Sequence, residues 1–300
     1  MNGAATRGRA GSWAGLWFVS PAMAFIIVFF FIPAIVSLGL SLTTFDIYAL
    51  SDFGNVRFVG LANYERLFAT PLFWKALGNT FYFVVLGAPL SVALSLAAAL
   101  LVNAPAARFK GFYRALFFAP FVTTLVATAV IWRYLLHTRY GLVNEMLGLA
   151  GLGPVDWLGN PSASMPAIVL FSVWKNFGYA MMLLLAGLQT IPRDLYEAAR
   201  IDGAGSWQQF RHVTLPGIAP VLLVVTIMTV ANYFQLFAEP YVMTQGEPAQ
   251  STVSILYLMF EQGFKWWDLG FASTVAFVLF VIMLAVSLAQ LALARRQGAV

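Results

Sequence analysis

The chain has no cysteine, two histidines and few charges, and each shortage removes a class of function. Without cysteine there are no disulfides, iron–sulfur clusters or zinc–thiolate sites. His137 and His212 stand far apart, too little for a histidine metal site. Charged residues make up only 10% of the 300, against about a quarter in a soluble domain, so a globular surface could not be solvated. There is no GxxxxGK[ST] phosphate loop and no Gly–Lys pair, hence no evident cradle for ATP phosphates. The 17 Lys and Arg are scattered singly or in pairs, so the net charge of +5 leaves no nucleic-acid footprint. No Ser/His/Asp, Cys/His or paired-carboxylate pattern marks an enzyme. What is abundant is apolar. With 61% hydrophobic residues and a mean hydropathy of +0.81, the expected fold is an all-α integral membrane protein.

A spanning helix takes about 20 mostly apolar residues, because the hydrocarbon layer is about 30 Å thick and each residue rises about 1.5 Å. Six segments qualify: Leu16–Leu42, Trp74–Val102, Tyr113–Leu136, Pro166–Leu188, Gly217–Phe237 and Leu269–Ala294. The first follows Arg7 and Arg9, as a signal peptide would, but its apolar stretch outruns the roughly 7–15 residues of a signal core. It is read as a retained helix. With the N-terminus inside, the inner segments hold Arg7, Arg9, Arg108, Lys110, Arg114, Arg193, Arg200, Arg211, Arg295 and Arg296. These are ten of the 17 cations, against three acids, Asp194, Glu197 and Asp202. The bias puts both termini in the cytoplasm. The outer loops around 43–73, 137–165 and 238–268 are too short for an independent domain, so residues 1–300 read as one transmembrane domain.

The inner segment 189–216 is the longest and carries the strongest local signals, in IPRDLYEAARIDGAGSWQQFRHVTLP from Ile191 to Pro216. Pro192 suits a first helical turn, and Asp194 and Glu197 complement the helix dipole there. Gly203 is a natural stop. Ser206 with Gln209 reads as a capping box opening a second helix, which Pro216 ends before the fifth span. Two short helices with a sharp glycine turn can dock into a groove on a partner, or serve as an amphipathic linker.

Resemblance decides between these. Glu197–Ala198–Ala199, three residues, Gly203, nine residues, then Val213–Thr214–Leu215–Pro216 resembles the EAA loop of the inner-membrane permeases of binding-protein-dependent ABC importers. Val213 stands where that family most often has isoleucine. Gly60–Leu61–Ala62–Asn63–Tyr64 is similar to an element in the first outer loop of the sugar-importing permeases. Trp174–Lys175 and Leu185–Ala186–Gly187–Leu188–Gln189 resemble their fourth span. The stretch Glu239–Gly246 resembles the segment after their fifth span, with Gly246–Glu247–Pro248 in place of the usual Gly-Gly-Pro. The subfamily is the carbohydrate-uptake group of maltose and glycerol-phosphate type, and the first segment looks like the first permease of the pair.

That resemblance implies a type I importer permease fold of about six spans with a cytoplasmic two-helix coupling loop, 189–216, in a bacterial inner membrane. The chain would form the pore of an ATP-driven importer of a sugar or sugar derivative. Implied partners are a second permease, two ATPase subunits, an external substrate-binding protein and membrane lipid, without nucleic acid. ATP and magnesium would sit on the ATPases, so the chain itself would need no cofactor and hold no catalytic or metal residue. Carried onto matching positions, the coupling residues are Glu197, Ala198, Ala199, Asp202, Gly203, Leu215 and Pro216. Glu197 would meet a basic or hydroxyl group on the ATPase or cap the coupling helix; Ala198 and Ala199 would admit a close surface; Gly203 would supply the turn.

Candidates for the substrate path are Lys175, Asn176 and Tyr179 in the fourth span and Asn232, Tyr233 and Gln235 in the fifth. Polar groups inside a membrane usually face the bundle or a cavity. They can equally hydrogen-bond helix to helix, on the order of 1 kcal/mol each, and Lys175 can snorkel to the outer surface. Other readings are an importer of the same architecture for an amino acid or polyamine, or an ion-coupled secondary transporter. The latter would lack the two-helix loop and often shows paired broken helices in inverted repeats.

Overall fold

The computed structural model describes residues 10–50 and 53–296; Arg7 and Arg9, part of the charge argument, lie outside them. In chain order the helices are α1 (Ala10–Ile26), α2 (Ile32–Ser41), α3 (Ala62–Ala69), α4 (Pro71–Asn103), α5 (Lys110–Val122), α6 (Leu125–Leu135) and α7 (Leu142–Leu149). Then come α8 (Pro161–Gln189), α9 (Arg193–Ile201), α10 (Ser206–Gln209), α11 (Leu215–Phe234), α12 (Ala238–Met243), α13 (Ile255–Phe260) and α14 (Leu269–Arg296). Among the described residues there is no strand, only an isolated bridge between Thr43 and Phe58. Lipid dictates this, since backbone groups without water must pair within their own helix. Five helical segments are long and apolar enough to cross a membrane, and α5 with α6 makes a sixth if taken as one span.

The chain forms two compact units. One comprises residues up to Ala69 and Met259–Phe277. In it α1 runs through a π turn, Ile27–Phe31, into α2, and the span Trp17–Ser41 leaves its apolar side chains unburied. The end of α2 is tied down by polar side chains. Asn63 Nδ2 donates to the carbonyls of Ser41 and Thr43, both at 2.9 Å, and Thr274 Oγ1 donates to that of Ser41 at 3.2 Å. Arg66 pairs with Asp268 at 2.7 Å and lies over the Phe271 ring.

The other unit comprises Thr70–Leu258 and the chain from Val278. Its core is α4, α8 and α11, whose seam buries Ala98, Ala99, Met181, Leu184, Ile218 and Val225. Small residues set the spacing, as expected where dispersion rather than hydrophobicity drives helix association. A Cβ on Gly178 of α8 would lie 2.0 Å from the Phe117 carbonyl oxygen of α5, and one on Gly87 of α4 would lie 2.4 Å from the Tyr233 ring of α11.

Two expectations need correction. The third span, read as one helix over Tyr113–Leu136, is broken at Thr123–Thr124 and bent by 96°. It is a single broken pair among the described residues, not the repeated pairs of secondary transporters. The fifth span does not start after a stop at Pro216 either. The helix runs from Ser206 through a π turn, Phe210–Thr214, directly into α11. The Leu215 N–H donates to the Phe210 carbonyl across the wider π turn, immediately before Pro216, which has no N–H to give.

Candidate functional site: the loop between the fourth and fifth spans and the polar groups of the spans

The loop between the fourth and fifth spans is built around α9. Pro192 stands just before it as N-cap rather than inside its first turn. Its end is closed by Gly203 at φ +78°, with the Ala204 N–H donating to the Ala199 carbonyl at 2.8 Å and the Gly203 N–H to that of Arg200 at 3.0 Å. That pairing is the Schellman arrangement, and its left-handed residue favours glycine. Nothing lies within 4 Å of a Cβ built on Gly203, so the turn faces open space. Glu197, Ala198, Asp202 and Gly203 are exposed, Ala199 half-buried, Leu215 half-buried and Pro216 exposed. The capping box falls one residue earlier than the sequence suggests. Gly205 is the N-cap of α10, and its N–H donates to Gln208 Oε1 at 2.8 Å, while Gln209 Nε2 donates to the Ala204 carbonyl.

The same loop presents Leu195, Ile201 and Trp207 to the outside, Ile201 with 87% of its surface free. The opposite face of α9 turns inward through Tyr196, which packs against the helix core and whose hydroxyl meets Thr214 Oγ1 at 3.0 Å. Sequence reasoning missed Tyr196 because its partner lies 18 residues away across the glycine turn.

The six polar candidates do not form one cluster. Asn232 and Gln235 are exposed, and Gln235 Nε2 donates to the Ala231 carbonyl of its own helix. Asn176 is likewise turned to its own helix, donating to the Ser172 carbonyl at 2.9 Å. Tyr179 stacks on Phe121 with ring centres 4.9 Å apart. Lys175 does not snorkel: it is 4% exposed, and its ammonium donates to the carbonyls at the break of the third span. Tyr233 is buried over Gly87 and stacks on Phe83 at 4.9 Å. Its hydroxyl faces the Oγ of Ser91, one turn along α4 from Gly87, and the two are buried with no other hydrogen-bond partner.

One further acid enters this region, Glu239 on α12. It accepts from Ser172 Oγ at 3.4 Å. Desolvation pushes this partly buried carboxyl above the usual carboxylate range, while its backbone hydrogen bonds, Ser172 and the charge of Lys175 pull the other way. A lone acid just after an apolar run was the available signal. Beside the break of the third span lies a groove of about 510 Å³ lined by Leu116, Phe117, Ala119, Pro120, Thr123, Trp174 and Phe177. Among the described residues no group of three or more His, Cys, Asp or Glu could hold a metal ion.

Comparison with known proteins bears on what this assembly does. Residues 9–298 match the family described as binding-protein-dependent transport system inner membrane component. The lactose transport system permease protein LacF of Rhizobium radiobacter is 35% identical over 287 residues, covering 94% of each chain. The trehalose/maltose transport system permease protein MalF of Thermococcus litoralis is 34% identical, over 94% of this chain and 93% of its own. Among solved structures, a bacterial ABC transporter involved in the import of the acidic polysaccharide alginate contains a chain with the same fold. The two superpose with a TM-score of 0.80 at 22% identity, over 96% of each.

Proposed function

The chain belongs to the family of binding-protein-dependent transport system inner membrane components, and from that membership we propose that it forms one half of the pore of an ATP-driven sugar importer. The observation that carries this reading is the match over nearly the whole chain, 9–298, joined to relatives named for lactose and for trehalose and maltose. A second permease completes the pore, an external binding protein delivers the solute, and two ATPase subunits bind ATP and magnesium and supply the energy. The chain is not itself an enzyme.

In this scheme α9 is the coupling helix. Its exposed Leu195 and Ile201 and the open glycine turn form the surface an ATPase groove would cover, with Glu197 supplying one charged contact and the small Ala198 and Ala199 admitting the partner. Motion of α9 passes to the fifth span at Leu215 and Pro216 through the Tyr196–Thr214 hydrogen bond. Along the path, the hydroxyls of Tyr233 and Ser91, which face each other and have no other partner, are suited to a ligand rich in hydroxyl groups, because each keeps hydrogen-bonding capacity unused.

The test is uptake by vesicles carrying the complete transporter and its binding protein. Accumulation of a sugar or oligosaccharide that requires ATP supports the reading. Uptake driven by a proton or sodium gradient without ATP overturns it, and ATP-driven uptake of an amino acid or polyamine alone overturns the sugar assignment.

A further inference from the structure

Breaking a helix inside a membrane strands carbonyls where no water reaches, so something in the protein must satisfy them. At Thr123–Thr124 that something is Lys175, from α8. Its Nζ donates to the carbonyls of Pro120, of Phe121 at 3.1 Å and of Thr123 at 2.6 Å, and lies 3.3 Å from Thr123 Oγ1. These groups belong to the last turn of α5 and the residue after it, where the helix dipole presents its negative end to a cation. An ammonium has three N–H donors and no acceptor, and four acceptors already share them. None is left for a solute hydroxyl.

The neighbours on α8 serve the same break. Ser172 and Lys175 are three residues apart, hence on one face, and Ser172 Oγ donates to the Glu239 carboxyl at 3.4 Å. Tyr179, one turn beyond Lys175, stacks on Phe121 at the end of α5. Glu239 itself sits on α12, which packs against α6, the other half of the broken span. Both halves are thus tied to one turn of α8.

We propose that Lys175 is a positioning residue for translocation, a pin whose ammonium holds the bend of the third span and so the shape of the groove between Pro120, Thr123 and Trp174. The translocation part rests on the importer reading; the pin does not. Because the chain has no cysteine, two can be introduced at exposed positions, Phe112 on α5 and Ile131 on α6, and spin-labelled in the assembled transporter. Lys175→Met is expected to lengthen and broaden the label distance, with maximal uptake falling about tenfold or more and the Km for the sugar within about twofold, since no solute contact is lost. Lys175→Arg, whose guanidinium keeps the charge and five donors, is expected to retain the distance and most of the uptake. An unchanged distance in Lys175→Met overturns the pin. A changed distance with normal uptake overturns its part in translocation, as does a raised Km at full maximal rate, the mark of a solute contact. If Lys175→Met fails to insert, Lys175→Arg decides, and a shifted distance in that variant at normal abundance overturns the proposal. Failure of the unsubstituted transporter to take up sugar would count against the importer reading and leave the distance test standing.

Discussion

Glycines at two positions are required for opposite reasons, which makes them separable by experiment. Gly203 needs no room, since nothing lies within 4 Å of its would-be Cβ, but it sits at φ +78°. A side chain there is strained by about 1–2 kcal/mol, more for a β-branched one, and adds bulk to an exposed turn. Gly203→Val is expected to insert at near-normal abundance, lose uptake and release the ATPase in pull-downs from detergent. Glu197→Ala should weaken both more mildly, because it removes one exposed contact without blocking approach. Normal pull-down and uptake in Gly203→Val would reduce this loop to a linker. Gly178 is the reverse case, with ordinary backbone but a Phe117 carbonyl 2.0 Å from its missing Cβ. Gly178→Ala must push α5 from α8 and should cost on the order of 1–3 kcal/mol. Its signature is lower melting temperature and abundance, with ATPase attachment per inserted copy unchanged.

At the scale of elements, α9 reaches α11 through one side-chain hydrogen bond, Tyr196 to Thr214, next to the π turn Phe210–Thr214. Such a bond is worth about 1 kcal/mol to stability, too little to unfold the loop, yet it joins the helix proposed to dock on the ATPase to the span it would move. Tyr196→Phe should therefore keep the ATPase attached but raise the ATP hydrolysed per sugar imported. An unchanged ratio would place the link elsewhere. Sequence reveals elements unevenly, and the reason is range. The five unbroken spans are legible because lipid demands apolar runs of fixed length, and the turn at Gly203 because glycine, small residues and flanking helix signals lie within a dozen positions. The break at Thr123–Thr124 is only faintly legible: Pro120 inside α5 is a local sign, while Lys175, whose ammonium meets the stranded carbonyls, lies more than fifty residues downstream. Pro216 misleads for a related reason. Proline forbids a hydrogen bond in α register, and only the structure reveals the π turn before it. Of the polar span residues, type alone could not separate Tyr233, whose hydroxyl faces only Ser91, from Lys175, whose donors are spent.

For the whole molecule the decisive question is which side of the membrane each loop faces. The segments assigned to the inside carry ten of the 17 cations and three of the 12 acids, leaving nine acids for the outer loops and their helix ends. Cations near span ends set orientation because they resist translocation, and acids contribute little. The broken third span matters to the count. If α5 and α6 cross together, the chain has six crossings and both termini share a side; if they re-enter, there are five and the termini separate. The loop around Gly153 and the segment after α14 discriminate these cases. With a reporter active only outside the cytoplasm, a fusion near Gly153 is expected to give signal, while one at Gly203 or after Arg296 should stay silent. Silence near Gly153 with signal at both Gly203 and after Arg296 would mean five crossings, with α5 and α6 a re-entrant hairpin. Any signal at Gly203 reaches further than the count: α9 would face away from every source of ATP, and the coupling role argued from its open glycine turn and exposed Ile201 would fall with the orientation.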